Sequence, residues 1–333
     1  MSPNEIIVLG GLLVGLTYGA TAQITGFCLN RAIRDRVSQH NSDKLRSFVL
    51  ALAIAIAGTQ WAHYTHTINL SLSIYLNPQF SVLLIPAGGL LFGWGMMLSR
   101  GCGARTLVLL GQGNMRSLLV TLCLGISAFM TLTGVLGPLR NELATLTTLT
   151  LPTLNISHQW AVAFIVLALL FYVFKDRGFL KQSRDLWGGI VIGLLIVCGW
   201  LVTGWLGFDE FEVSAPGAVG SLTFVAPIGS TIQYAMIATG LKLSFGVTLV
   251  VGVVLGSFVA ARVTRTHKFE GFSSSNEIKR YIVGGVCMGV GGALAMGCSI
   301  GQGLTGLSTL SYVSMLSVSG IVVGAWWALK RGY

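Results

Sequence analysis

Two stretches decide how this chain folds: Gly88-Gly89-x3-Gly93-x-Gly95 leading to Gly101-Cys102, and Gly284-Gly285-x3-Gly289-x-Gly291 leading to Gly297-Cys298. They repeat one pattern at an offset of 196 positions, and each lies in an apolar run that ends at a cysteine. In a membrane transporter, Gly-interrupted apolar segments at matching places in two halves point to the binding site. Glycines so spaced also let helices pack closely, so both roles stand open.

The surrounding composition places the chain in lipid. Of 333 residues, 53% are hydrophobic and only 10% charged, against about 25% charged in soluble domains. Mean hydropathy is +0.77. Nine apolar stretches, near 5–23, 47–63, 81–99, 117–137, 158–174, 187–206, 242–261, 281–297 and 310–329, approach the roughly 20 residues that span a bilayer. Between them, pieces near 24–33, 101–115, 219–235 and 298–309 are too short to cross and too apolar for ordinary loops. They read as re-entrant or broken helices buried in protein. The expected fold is an all-α polytopic membrane protein, with about nine transmembrane helices plus short re-entrant helices in one transmembrane domain over 1–333. No Lys or Arg precedes the apolar run from Ile6, so a cleavable signal peptide is not expected.

The charges give the chain a direction. Its net charge of +10 does not call for nucleic acid, because topology explains it. Arg31, Arg34, Arg36, Lys44 and Arg46 form one basic segment, and Arg100, Arg105 and Arg116 a second. Lys175, Arg177, Lys181 and Arg184 form a third, and Arg262, Arg265, Lys268, Lys279 and Arg280 a fourth; Lys330 and Arg331 close the chain. With nine spans all of these share one side, leaving Arg140 and Lys242 out of 21 Lys and Arg. The positive-inside rule makes that side the cytoplasm. The N-terminus is then periplasmic and the C-terminus cytoplasmic, with Asp209, Glu210 and Glu212 outside.

Gly10-Gly11-x3-Gly15 and Gly188-Gly189-x3-Gly193 form a second matched pair. Matched spans are five apart, so they cross in opposite directions. This is the pattern of an inverted repeat, 1–157 against 158–333.

Three cysteines fall at the breaks: Cys28 in Gly26-Phe27-Cys28, Cys102 after Gly101, and Cys298 after Gly297. At the fourth break Ser221 and Thr223 stand instead of a thiol. Cys123, Cys198 and Cys287 lie inside apolar runs and read as small buried hydrophobes. A short helix starting at a Gly-Cys break would present free N–H groups and a positive dipole end, which suits an anion. A polarizable thiol there suits a soft, sulfur-bearing one. Ser299, Gln302 and Asn114 are further candidate lining polars. Arg100, Arg105 and Arg116 either draw an anion to the inner mouth or serve topology alone. His63 and His66 offer too few ligands for a convincing metal site. No cofactor motif is present, and Gly111-x-Gly113 lacks the strand that a dinucleotide site needs. No catalytic residue set emerges, so the chain does not read as an enzyme.

With Gly26-Phe27-Cys28, Gly101-Cys102-Gly103-Ala104-Arg105 and Gly297-Cys298-Ser299-Ile300-Gly301-Gln302-Gly303 in view, the chain resembles the YeeE/YedE family of bacterial inner-membrane sulfur-compound transporters. The resemblance covers essentially the whole chain. It implies inward transport of thiosulfate or a related sulfur anion by S–H hydrogen bonds, with Cys28, Cys102 and Cys298 lining the path. Gly101, Gly297, Ser299, Gln302 and Arg105 complete the expected substrate-binding set. A cytoplasmic TusA-like sulfurtransferase is the implied partner, and membrane lipid the surroundings. Gly103 stands where proline is expected in many relatives, so an altered bend after Cys102 is expected. Two other mechanisms stay open: a persulfide sulfur relay, which needs a covalent intermediate, and a soft-metal carrier using the three thiols.

Overall fold

The computed structural model describes residues 2–77, 79–150, 159–207, 219–272 and 274–332. The chain opens with α1 (Pro3–Thr25), α2 (Leu29–Ser38) and α3 (Asp43–Tyr64). Strand β1 (Gln79–Ser81) precedes α4 (Leu84–Leu98), α5 (Gly103–Gln112), α6 (Met115–Leu132) and α7 (Gly137–Leu146). Strand β2 (Thr148–Thr150) then pairs antiparallel with β1, with Phe80 opposite Leu149. α8 (Gln159–Phe174), α9 (Arg177–Leu180), α10 (Ser183–Leu201), α11 (Val225–Met236), α12 (Phe245–Val263), α13 (Ser275–Leu294) and α14 (Tyr312–Lys330) complete the molecule. Short π-helical turns extend α10 through Val202–Leu206 and occupy Gly301–Gly306.

Each expected apolar stretch holds a helix: α1, α3, α4, α6, α8, α10, α12, α13 and α14. Six helical stretches among the described residues are long and apolar enough to cross a membrane: Pro3–Ser38, Asp43–Tyr64, Met115–Leu132, Ser183–Leu206, Phe245–Val263 and Tyr312–Lys330. The other three fall short for separate reasons. α4 has 15 residues, about 22 Å of helix against the ~30 Å hydrocarbon core. α8 has 16 described residues. α13 has 20, but Glu277, Lys279 and Arg280 crowd its first turns. The stretch expected at 117–137 also divides, because α6 ends at Leu132 and α7 restarts at Gly137 with Pro138 in its first turn, where proline is tolerated. Asp209, Glu210, Glu212 and His158 lie outside the described residues.

The glycine motifs prove to be packing surfaces, and the breaks come after them. Gly88 and Gly95 of α4 lie against Gly291 and Gly284 of α13, so these helices run antiparallel. A Cβ at Gly88 would stand 2.6 Å from the Ala295 nitrogen, and one at Gly95 would stand 2.7 Å from the Gly284 carbonyl oxygen. Only glycine permits that approach. Other motif glycines face partners running in the same direction: Gly89 and Gly93 of α4 lie on α14, and Gly285 and Gly289 of α13 on α6. Gly11 and Gly15 of α1 lie likewise on α12, and Gly189 and Gly193 of α10 on α3.

One buried cluster runs from Val14 to Ala328 and includes Tyr18, Phe92, Trp200 and Phe224. Outward faces are apolar: Trp160 is 85% exposed, and Phe164, Phe171 and Val263 are similarly bare, as helices facing lipid require. At one end of the molecule the basic segments converge. Lys44 pairs with Asp185 at 2.6 Å, Arg46 with Asp176, and Arg116 with Glu277 at 2.7 Å. Gln112 reaches the Thr266 carbonyl at 2.9 Å.

Candidate functional site

Three helices stop inside the protein, and each stop delivers a thiol. α1 ends at Gly26, which adopts φ +68°, and Cys28 follows two residues later. α4 ends with Arg100 at φ +55°, two residues before Cys102; α13 ends with Met296 at φ +58°, two residues before Cys298. In the last two the chain turns back on itself by the same bond. Gly101 N–H donates to the Met96 carbonyl at 3.1 Å, and Gly297 N–H to the Gly292 carbonyl at 2.8 Å. This closure normally uses glycine at the left-handed position. Here arginine and methionine occupy it, a strain of about 1–3 kcal/mol each.

Side chains fasten the stops. Gln302 Nε2 donates to the Ala295 and Met296 carbonyls, both at 2.9 Å, sealing the end of α13. Asn30 Nδ2 donates to the Met96 carbonyl and seals α4 from across the break. Gln302 is therefore a clamp through its amide nitrogen, while its buried Oε1 has no protein partner.

Cys28 and Cys102 are the N-cap residues of α2 and α5, and neither thiol closes a capping hydrogen bond. The N–H groups of both first turns are left without a side-chain cap. The two thiols meet with Sγ atoms 3.7 Å apart, both buried. Arginine stands three residues after each, at Arg31 and Arg105. Two positive dipole ends thus converge on one thiol pair, and the Arg105 guanidinium lies within electrostatic range of both thiols. Arg105 Nη1 donates to the Ala22 carbonyl at 3.2 Å.

Cys298, at 0% exposure, accepts the Gly301 N–H at 3.2 Å and also neighbours the Thr223 hydroxyl. Tyr75 approaches that hydroxyl as well. Ser299, also 0% exposed, turns its hydroxyl toward Cys102 without closing a hydrogen bond to any protein group. The order of groups is therefore Tyr75 and Thr223, Cys298, Ser299, Cys102, Cys28, then Arg105. Tyr18, 1% exposed, packs its ring on Phe224 at 5.3 Å and lies within electrostatic range of all three thiols.

Other sequence candidates lie elsewhere. Ser221 donates to the Ile196 carbonyl at 2.6 Å and fastens the loop to α10. Asn114 caps α6 and bonds Glu270 at 2.7 Å on the surface. Arg100 is exposed, and Arg116 is spent on Glu277 and the Gly271 carbonyl. His63 meets the Ile68 carbonyl at 3.2 Å and, with His66, lines an apolar cavity of about 1150 Å³ between α3 and α8. The altered bend expected from Gly103 is not needed. Position 103 is the first residue of α5, where proline fits too, and a Cβ there would meet only ordinary contacts from 3.4 Å. Sequence reasoning missed Tyr18 and Asn30. The available signals were a lone phenol between Gly15 and Gly19, and the repeated Cys-x2-Arg of Cys28–Arg31 and Cys102–Arg105.

Comparison with known proteins follows this geometry. A family described as sulphur transport matches residues 25–327. The chain is 23% identical over 350 residues to the thiosulfate transporter TsuA of Escherichia coli (strain K12), spanning 97% of this chain and 94% of that protein. It is 26% identical over 344 residues to the thiosulfate transporter TsuA of Spirochaeta thermophila, spanning 96% and 98%. The family match takes in Cys28, Cys102 and Cys298 with their breaks, and both relatives align over nearly their full length. The chain belongs to the sulphur-transport family, the YeeE/YedE family that its Gly-Cys motifs resemble.

Proposed function

We propose that this protein carries thiosulfate, or a closely related sulfur anion, inward across a bacterial inner membrane along the string from Thr223 to Arg105. The observation that carries this reading is the buried Cys28–Cys102 contact at 3.7 Å, set where two uncapped helix starts face each other. Backbone N–H groups and dipoles hold an anion without burying a full charge beside it. S–H groups donate weakly, so each station binds the sulfane end and lets it go. The names of both relatives agree with that substrate.

The nine-span topology and the inverted repeat, 1–157 against 158–333, belong to the same proposal. Helix pairing supports it: α1 on α12 corresponds to α10 on α3, α4 on α14 to α13 on α6, and α4 and α13 cross each other. Under that exchange Thr223 stands to Cys298 as Cys28 stands to Cys102. The convergent basic end is then cytoplasmic, with the N-terminus periplasmic, the C-terminus inside, and a TusA-like sulfurtransferase receiving the product. The protein acts as a transporter and catalyses no reaction.

The test is uptake of labelled thiosulfate by cells lacking other importers. Cys102→Ala and Cys298→Ala should each abolish most uptake, while Cys198→Ala, on the lipid side of α10, should not. Normal uptake by both of the first two variants would defeat the proposed path. The thiol contact also suits a sulfur relay, in which a thiolate takes the sulfane sulfur and sulfite leaves. Mass spectrometry after substrate exposure separates the two, because only the relay leaves a cysteine heavier by one sulfur atom.

A further inference from the structure

Beside the thiol string, at the basic end, lies a cavity of about 620 Å³ whose walls include Gly26, Arg31, Lys44, Arg105, Lys181 and Arg184. We propose that this vestibule is a second anion station, distinct from the thiols, which takes a free tetrahedral sulfur oxyanion from the cytoplasmic side and slows import when filled. The proposal rests on the transport reading and its orientation.

The lining charges are unbalanced. Five cationic side chains and one carboxylate, Asp185, face the space. Lys44 consumes that carboxylate at 2.6 Å and gives a second bond to the Thr25 carbonyl at 2.8 Å. Arg31 has only a loose partner, Asp35 at 3.7 Å, on its exposed side. Arg105, Lys181 and Arg184 form no ion pair among the described residues. The first turn of α10 also borders the cavity, and Gln182 before it supplies no capping bond, so a positive dipole end adds to the field. Topology accounts for cations on this side. It does not account for their gathering around one cavity that Gly26 and Arg105 also line.

The chemistry of the walls sets what binds. The guanidinium of Arg31 lies against Gly26, where a Cβ would stand 2.9 Å from Nη1, and Gly26 is two residues from Cys28. No thiol lines the vestibule, so nothing in it recognises a sulfane sulfur. Its volume equals about twenty water molecules, so the ion keeps much of its hydration. Sulfate should bind as well as thiosulfate, and binding should weaken as salt rises. A dianion seated there repels the next one arriving at Cys28, which ties import rate to the oxyanion level inside.

The experiment titrates sulfate into the purified full chain in detergent by calorimetry, at constant ionic strength in chloride. Wild type should bind sulfate, and Lys181→Ala/Arg184→Ala should weaken that binding by about tenfold or more. Lys181→Arg should keep it, which excludes a folding defect, and Lys330→Ala, which removes a charge elsewhere on the same side, should not change it. In vesicles, sulfate on the cytoplasmic face should slow thiosulfate uptake by wild type and not by the double variant. Absent sulfate binding, binding indifferent to the double substitution, or displacement by anionic lipid rather than by thiosulfate would each overturn the proposal. Missing thiosulfate uptake beside variant-sensitive sulfate binding would defeat the transport reading and leave the anion station standing.

Discussion

Ser299→Ala should make the protein more stable and a worse transporter. The Ser299 side chain is wholly buried and its hydroxyl has no protein partner. A buried polar group left unsatisfied costs about 1–3 kcal/mol. Removing the oxygen leaves a void smaller than a methyl group, so the cavity penalty is slight. Alanine should therefore raise Tm by about 2 °C. The hydroxyl faces Cys102, and on the proposed path it would donate to a passing anion. A hydrogen bond to a charged group is worth about 1.5–3 kcal/mol, so KM for thiosulfate should rise by about 10–150-fold. Differential scanning of purified protein and uptake kinetics in vesicles read the two effects. Ser314→Ala is the control: Ser314 Oγ is also buried and unpartnered but is not among the groups that act on Cys28, Cys102 or Cys298, so its loss should raise Tm and spare KM. If Ser299→Ala is destabilised, or transports with wild-type KM, the hydroxyl is not held in reserve for substrate.

Gln302→Leu should lower stability by about 2–4 kcal/mol, because two buried carbonyls lose their donor; the Ser317 hydroxyl, 3.3 Å from the Ala295 carbonyl, softens the loss. Faster maleimide labelling of Cys298 in that variant would show the break opening. Lys44→Met should cost about 3–5 kcal/mol by stranding the largely buried Asp185 carboxylate, and Lys44→Met/Asp185→Leu should recover most of it, measured by thermal unfolding. Asp176 is held below the usual aspartate range by the Gly178 N–H and by Arg46. Its contribution is present above the unfolded aspartate pKa and lost as pH falls through the lower folded value. The Tm gap between wild type and Asp176→Asn should hold at neutral pH and close only in strong acid.

What the sequence discloses here is local. Apolar length marks the nine stretches that hold the longer helices, and a glycine within two residues of a cysteine marks the three stops, because hydropathy and left-handed backbone are properties of a few adjacent residues. What it hides depends on how distant segments tilt. Cys102 looks like the partner of Cys298, its counterpart in the repeat, yet the thiol it touches is Cys28, because α2 and α5 start toward each other. Gln302 is expected on the pathway, and its amide nitrogen also clamps the end of α13, a contact that nothing local reveals. Arg116 looks like a mouth charge until Glu277, 161 positions away, comes to meet it. The β1–β2 clip and α7 escape notice for the same reason, their partners being nearly 70 residues apart or set by one proline.

On the proposed path, thiols at the centre and arginines at one end would follow from what a path through lipid must do. A full cation at the midplane is expensive to bury and would hold a dianion too firmly for it to leave, whereas conduction needs sites that bind and release. Helix starts supply partial charges that are already part of the fold, and thiols add a contact selective for soft sulfur at little desolvation cost. Serine alone at every station would bind oxygen and sulfur ends alike. Arginine at Arg31 and Arg105 is tolerable because that end opens to water, and its placement against the α2 and α5 dipoles, unfavourable for either helix alone, makes sense if an anion is the balancing charge. Substituting Arg105 with glutamine should therefore change anion affinity from the basic side more than it changes helix stability.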